Sequence, residues 1–387
     1  MTEKLYDIDS HLKEFTANVT SCEEYGESYA VELDRTAFFP EAGGQGSDRG
    51  NIDNASVFDV QITGDKIYHI VDKPLAVGTA VSCTLDWERR FDFMQQHSGE
   101  HIISGIANRL YGCENVGFHL SEDIVTLDFD IPLTKEQILK VEALANDTVF
   151  ANKAINTYYP DEMTLKTLNY RSKKELEGAI RIVEIEDTDI CACCAPHVKF
   201  TGEIGLIKML ACEKIRGGIR IEIKCGRRAL FDYNERFSNT ARIGDMLSVK
   251  YNETAEAVEK HLNNFNDIKG QITFLKKRVI EEKAKSFIPE SDITGEFEDG
   301  LDIKELQLYS DALFKKADGI RAVLSKNENG FGFAICGNAQ KLDEFFAKFK
   351  SSFQVRGGGR NGMVQGTVIA SKQELDEFFN ACRVMIQ

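Results

Sequence analysis

Two short fragments of the chain carry four side chains that one metal ion can bind: His97-Ser98-Gly99-Glu100-His101 and Cys193-Cys194-Ala195-Pro196-His197. Cysteine thiolate and neutral imidazole both suit zinc, and four such groups close a tetrahedron. If three of them bind in the working state, the fourth position takes water or substrate, the arrangement that metal-assisted hydrolysis requires. Glu100 opens a rival chemistry, because His97-x-x-Glu100-His101 has the inverted zincin pattern, whose glutamate serves a peptidase as general base. Such a peptidase next needs a carboxylate ligand from a later helix, and this chain offers a Cys-x-x-x-His pair instead. A third reading is a structural zinc knot built on Cys191, Cys193 and Cys194.

The elements that must position these groups can be read around them. His97 and His101 are four apart and stack on one helical face. Residues 86–112 predict that helix, with Phe91, Met94, Ile102, Ile103, Ile106 and Leu110 at helical spacings, Asp86 as the starting cap and Gly112 as the stop. Ahead of it, residues 1–90 read as a small β-rich, barrel-like unit with strands over 29–33, 56–60, 66–71 and 80–85. The glycine loop at 43–50 lies inside this unit. It lacks the Lys-Ser/Thr ending of a nucleotide-binding loop and no helix pattern follows it, which argues against phosphate cradling. Residues 91–233 alternate helix and strand, with strands near 124–129, 180–185, 205–210 and 219–224 and a helix near 134–151.

From 234 to 290 the chain turns helical and charged. Val258, Leu262, Phe265, Ile272, Leu275 and Val279 fall mostly at three- and four-residue steps, predicting a helical hairpin or short coiled coil that Pro289 stops. The acidic stretch 289–300 reads as a linker. Residues 291–387 return to alternating strand and helix, with Arg356-Gly357-Gly358-Gly359-Arg360 read as a loop between them. The fold class is thus α+β: a barrel-like start, an α+β middle, a helical linker and a compact α/β end.

Composition narrows the function. A chain of 387 residues, 42% hydrophobic, is long enough for two or three domains. Its formal charge of −15 argues against indiscriminate coating of nucleic acid, although Lys214, Arg216, Arg220, Lys224, Arg227 and Arg228 against Glu213 and Glu222 leave a local +4 over 213–228. Ten cysteines, three of them clustered, do not make a disulfide framework. No apolar run reaches membrane-spanning length, and the acidic start does not read as a signal peptide, so the expected location is cytoplasmic with no membrane partner.

The order of motifs carries a resemblance. Thr36-Ala37-Phe38-Phe39-Pro40-Glu41-Ala42-Gly43-Gly44-Gln45-Gly46-Ser47-Asp48, then His97-x-x-x-His101, then Cys193-x-x-x-His197 followed by Thr201-Gly202-Glu203-Ile204-Gly205, resembles the editing module of alanyl-tRNA synthetase and its freestanding relatives, the AlaX proteins. Threonyl-tRNA synthetases share the two histidine motifs, but the segment 36–48 is similar only to the alanyl group. Gly357-Gly358-Gly359-Arg360 with Gln365-Gly366 is similar to the DHH-associated domain that ends alanyl-tRNA synthetases, so the resemblance extends over nearly the whole chain. Neither a class II aminoacylation domain ahead of residue 30 nor an Asp-His-His motif is expected.

What the resemblance implies is a zinc-dependent hydrolase that deacylates tRNA(Ala) mischarged with serine or glycine and does not charge it. His97, His101, Cys193 and His197 would hold Zn2+. Glu100 would be a base or, by preference, a carboxylate fixing a histidine tautomer. Rejecting alanine while accepting serine calls for a site that hydrogen-bonds the serine hydroxyl, and Thr36 and Gln45 are the candidates. Arg216, Arg220, Arg356, Gly357, Gly358, Gly359 and Arg360 would contact the tRNA body, and the helical linker or the C-terminal domain would form a homodimer. The alternative is a tRNA-binding accessory protein whose zinc is structural. One departure stands out: the family's Gly-Thr before the last histidine is Ala195-Pro196 here, and proline removes a backbone donor from the loop.

Overall fold

The computed structural model describes residues 2–172 and 179–384, which divide into two compact units, 1–241 and 242–387. The first opens with six strands: β1 (Glu14–Tyr25), β2 (Ser28–Leu33), β3 (Gly50–Ile52), β4 (Ala55–Thr63), β5 (Lys66–Val71) and β6 (Ala80–Leu85). They pair in the closed order β1-β2-β5-β4-β3-β6, with β6 back against β1, so this sheet has no free edge. In β6, Val81, Cys83 and Leu85 point into the core while the residues between them are exposed, the alternation a half-buried strand requires. Two of the six strands are absent from the sequence reading. β1 buries only Ala17 and Val19 of its twelve residues, and β3 is three residues long, too short to show a period.

Helix α1 (Trp87–Tyr111) follows. The Asp86 carboxylate accepts from the Arg89 N–H at its start, and Gly112 ends it at φ +65°, in the left-handed region that glycine enters without strain. Its middle is buried although it carries Gln95, Gln96, His97, Ser98, Glu100, His101 and Ser104. A helix that buries this many polar groups must find partners for them, and those partners define the site below. Around α1 lie β7 (Asn115–Leu120), β8 (Val125–Phe129), α2 (Lys135–Phe150), β9 (Ile155–Tyr158), β10 (Ile182–Ile185), β11 (Asp189–Ala192), β12 (Ile207–Ile215) and β13 (Gly218–Cys225). These strands form a sheet of order β12-β13-β8-β7 and a three-stranded one of order β9-β10-β11. Their shared core joins Phe93, Met94, Ile102 and Ile106 of α1 to Leu127, Phe129, Ile221 and Ile223.

Helix α3 (Gly226–Leu247) carries the chain into the second unit, where α4 (Thr254–Ser286) begins after a break at Ser248, φ +57°. A helical hairpin, one of the two readings of this stretch, would bury the apolar stripe of α4. Instead Val258, Leu262, Phe265, Ile272, Leu275 and Val279 are exposed, and α4 buries only Ile280 and Ala284. The remaining elements are β14 (Ile293–Phe297), α5 (Ile303–Lys316), β15 (Ile320–Asn327), β16 (Gly330–Cys336), α6 (Ala339–Ser352), β17 (Gln354–Arg360), β18 (Met363–Ile369) and α7 (Lys372–Val384). The sheet runs β14-β15-β16-β18-β17, with the phenylalanines of α6 and α7 packed on one face and α5 with the end of α4 on the other.

Two expectations are corrected in this unit. The stretch 289–300 is no linker, because β14 within it pairs in parallel with β15 and buries Ile293 and Thr294. Nor is Arg356-Gly357-Gly358-Gly359-Arg360 a loop: it lies in β17, the sheet's edge, and pairs with β18 through the turn at Asn361 and Gly362, both at positive φ.

Candidate metal centre

Helix α1 supplies His97 and His101, and the loop leaving β11 supplies Cys193 and His197. Their ligand atoms all lie within 4.8 Å of one another, so the four residues could hold a metal ion. The Cys193 Sγ stands 3.5 Å from His97 Nε2 and 3.5 Å from His197 Nε2. On the far side, each imidazole is gripped at Nδ1: His97 by Gln45 Oε1 at 2.8 Å, His101 by Asp189 Oδ2 at 2.8 Å and His197 by the Ser98 hydroxyl at 3.0 Å. Gln45 Oε1 and Asp189 Oδ2 only accept, so they put a proton on Nδ1 of His97 and His101, while the Ser98 hydroxyl holds the ring of His197, and the three Nε2 atoms turn inward. His101 Nε2 is buried with no hydrogen-bond partner, an orphan that a metal ion would satisfy.

Electrostatics favour ligation by Cys193 and His197. Burial raises the Cys193 thiol, but the charge and hydrogen bonds of His97, His101 and His197 outweigh it and hold its pKa well below the usual thiol range. Burial pushes His197 down to about 3, leaving the imidazole neutral and ready to ligate. Burial also lowers His101, yet the Asp189 carboxylate on its Nδ1 keeps its pKa well above the ordinary value. Asp189 is in turn clamped by Arg171 through bonds of 2.8 and 2.9 Å.

The segment 36–48 docks Gln45 here. Ala42 and Gln45 exchange backbone bonds of 3.1 and 3.0 Å around Gly43 and Gly44, both at positive φ, as a tight two-residue hairpin turn demands. The Leu120 N–H donates to Gly44 O at 2.8 Å, and a Cβ on Gly44 would run into the Phe118 carbonyl, so the turn lies flush on β7. At its other end the segment is bolted to α1. The wholly buried Arg90 donates to both oxygens of Asp48, to Ala37 O and to Ser10 O, while Asp48 accepts from the Phe39 N–H at 2.6 Å. The loop carrying Gln45 and the helix carrying His97 therefore move as one piece.

The structure brings Gln45, Glu100 and the four ligand candidates together. Glu100 Oε1 accepts from Ser104 at 2.7 Å and from Asn115 Nδ2 at 2.6 Å, and its Oε2 lies 3.9 Å from His101 Nε2. With Cys193 in place of a later carboxylate, the donor set departs from that of an inverted zincin. Gln45 keeps its Nε2 buried and unpartnered. Thr36 is elsewhere in contact: its hydroxyl meets His69 Nε2 at 2.8 Å and accepts from the Phe38 N–H at 3.1 Å. The Ala195-Pro196 loop is held by Arg181, which donates to Cys193 O at 3.1 Å and Ala195 O at 2.8 Å.

Among the charged candidates, Arg216 is exposed at the β12–β13 turn, whereas Arg220 is committed to Asp128 by two bonds of 2.7 Å. Arg356, Gly357, Gly358, Gly359 and Arg360 are all exposed. Sequence reasoning missed Asp189, Ser98, Asn115, Arg90 and His69. Ser98 alone carried a signal, lying between the two histidines on the buried helix. Arg90 lies on the same helix but is recognised only by its distant partner Asp48, and Asp189, Asn115 and His69 come from strands whose pairing brings them in, which no local pattern reveals.

Comparison with known proteins agrees with this geometry. Residues 180–222, which include Cys193 and His197, match the threonyl and alanyl tRNA synthetase second additional domain, and residues 6–89, here the barrel, match the class II (A) tRNA synthetase model. The chain is 28% identical to the alanyl-tRNA editing protein AlaX-L of Pyrococcus horikoshii, over 97% of this chain and 96% of that protein. Along nearly its whole length the chain is thus similar to an alanyl-tRNA editing protein. It is 31% identical to the alanyl-tRNA editing protein Aarsd1 of Mus musculus over 66% of each chain. It is also 31% identical to the alanine–tRNA ligase of Pyrococcus furiosus over 95% of this chain, but spans only 42% of that enzyme's length.

Proposed function

We propose that this protein hydrolyses the ester of tRNA(Ala) mischarged with serine or glycine, at a zinc site made by His97, His101, Cys193 and His197, and does not aminoacylate tRNA. The observation that carries the reading is the quartet itself. With Zn–N near 2.0–2.1 Å and Zn–S near 2.3 Å, a tetrahedron has an N···S edge of about 3.5 Å, the separation found at Cys193 with His97 and with His197. Zinc, when bound, would supply either a nucleophilic water near neutral pH or a grip on the substrate's α-amino group.

The chain's own residues do the rest. Gln45 accepts the His97 Nδ1 proton through Oε1, which leaves Nε2 as a buried donor for an oxygen of the aminoacyl group. Ser104 and Asn115 both donate to Oε1 of Glu100, and Oε2 lies 3.9 Å from His101 Nε2, where the carboxyl group helps to orient the site. From the family resemblance we assign Thr36 to the amino-acid pocket as the partner of the serine hydroxyl, with its own hydroxyl held by His69 and the Phe38 N–H. Hydrolysis adds water to the ester carbon and breaks its bond to the terminal ribose, which leaves as the hydroxyl.

For the tRNA body we assign Arg216, Arg356 and Arg360, with Gly357, Gly358 and Gly359 permitting close approach of the backbone. Arg220 contributes less because Asp128 already holds it. The C-terminal domain, 291–387, is read as DHH-associated, and the exposed stripe of α4 as a surface on which a second copy would pair. No helix among the described residues is long and apolar enough to cross a membrane, in keeping with a cytoplasmic setting.

Deacylation of Ser-tRNA(Ala) by the wild type and by Cys193→Ala tests the proposal. The wild type with zinc bound should release serine, and Cys193→Ala should lose both zinc and activity. A zinc-loaded wild type that leaves the ester intact would return the protein to an accessory role with structural zinc.

A further inference from the structure

His69 has no place in the mechanism above, yet it is wholly buried in the barrel with both ring nitrogens engaged. Its Nδ1 lies 2.9 Å from Val31 O, and a carbonyl oxygen only accepts, so Nδ1 carries a proton. Burial pushes its pKa down to about 4, so at neutral pH the ring has no second proton and Nε2 is a bare acceptor. The bond of 2.8 Å between Nε2 and Thr36 Oγ1 is therefore made with the threonine's own proton. Phe38 fixes the ring edge-on, with centroids 5.4 Å apart, and its N–H donates to the same Oγ1 at 3.1 Å.

A hydroxyl has one proton to donate and two lone pairs. Thr36 has given its proton to His69 and one lone pair to Phe38. It keeps one lone pair and no donor. We propose that His69 is a positioning residue for specificity: by holding the Thr36 proton, it makes Thr36 a pure acceptor and so makes the amino-acid pocket favour a hydroxyl donor, which serine has and glycine and alanine lack. The inference rests on the reading that Thr36 lines that pocket. A group able to rotate between donating and accepting would discriminate less, because it could find another partner when the substrate hydroxyl is missing.

Deacylation rates for Ser-tRNA(Ala) and Gly-tRNA(Ala) test it in the wild type, Thr36→Val, His69→Phe and His69→Gln. Thr36→Val and His69→Phe should each lower the serine-to-glycine rate ratio about tenfold, the scale of one lost hydrogen bond. His69→Gln should keep the ratio, because an amide can donate to Val31 O and accept from Thr36. If Thr36→Val leaves the ratio intact, Thr36 does not face the amino acid, and the inference falls with that reading. If Thr36→Val lowers it and His69→Phe does not, or if His69→Phe slows both substrates in parallel, only the role of His69 is overturned. A measurement without substitution stands beside these: a long-range proton–nitrogen correlation spectrum of the wild type near pH 7 should show His69 protonated at Nδ1 alone, and a proton on Nε2 would overturn the inference.

Discussion

At the scale of single residues, burial keeps His69 and His197 neutral while Asp189 raises His101, and His69 gives the cleanest measure of the cost of burial because it makes no contact with the metal quartet. Its pKa falls from 6.5 to about 4 on folding. Above pH 6.5 neither the folded nor the unfolded ring is charged, so it contributes no pH dependence. Between 6.5 and 4 the unfolded ring takes up a proton that the folded ring refuses, and stability falls as pH falls; below 4 both are charged and the dependence ends. Between pH 8 and pH 5 this amounts to about 2 kcal/mol. Denaturant unfolding at the two pH values should show His69→Gln losing about that much less stability than the wild type on acidification; an equal loss would mean that His69 is charged in the folded protein. The histidine pair was legible from spacing, since His97 and His101 share a helical face, whereas Cys193 was singled out from Cys191 and Cys194 by the family resemblance. Gln45, Asp189 and Ser98, which aim the three rings, were legible only as far as Gln45 sat in the alanyl-type motif. An orienting partner is chosen by the fold's long-range pairing, and Asp189 reaches His101 across 88 residues of chain.

At the scale of elements, legibility followed burial pattern and end chemistry. Helix α1 was readable because Asp86 and Gly112 mark its ends and apolar residues keep step between them. Strand β1 was not, since a strand that buries two side chains in twelve leaves no alternation to read. The glycine run of β17 reads as a loop because glycine marks flexible turns and closely approached strands alike, and only the pairing of Gly357 with Gly366 distinguishes them. The turn at Gly43 and Gly44 is where an element's geometry most directly governs the site. Both residues have positive φ, so alanine at either is strained to a similar degree, about 1–2 kcal/mol. Only at Gly44 would the new Cβ also meet the Phe118 carbonyl; at Gly43 it meets nothing nearer than the Cys194 sulfur at 3.8 Å. Gly44→Ala should therefore lift Gln45 from His97 and weaken metal affinity roughly ten- to a hundredfold, the usual cost of losing an outer partner, while Gly43→Ala leaves it within a few-fold. Competition with a chelator measures both, and equal effects would show that the seating of the turn on β7 does not reach the metal.

At the scale of the whole molecule, a chain with a net charge of −15 that acts on tRNA must concentrate its positive charge, because the remaining surface repels phosphate. Many of its basic side chains are already committed to carboxylates: Arg220 to Asp128, Arg228 to Asp92, Lys224 to Asp232 and Lys283 to Glu298. A local +4 read from sequence over 213–228 thus overstates what that stretch can offer a nucleic acid. Arg356 and Arg360 differ in kind. They stand exposed on an edge strand whose three intervening residues are glycines, so a phosphate backbone can approach the strand itself as well as the two guanidinium groups. Substituting both by alanine should weaken tRNA(Ala) binding at low salt and reduce the slope of log affinity against log salt by roughly one for each phosphate that is no longer neutralised. Release of serine from a short acceptor-stem substrate, which ends before the tRNA body, should be unchanged in the same variant. If the salt slope stays where it was, the edge strand does not meet phosphate and the C-terminal unit recognises tRNA by another surface; if the short substrate also reacts more slowly, the two arginines act on the hydrolytic step or on the fold rather than on the body of the tRNA.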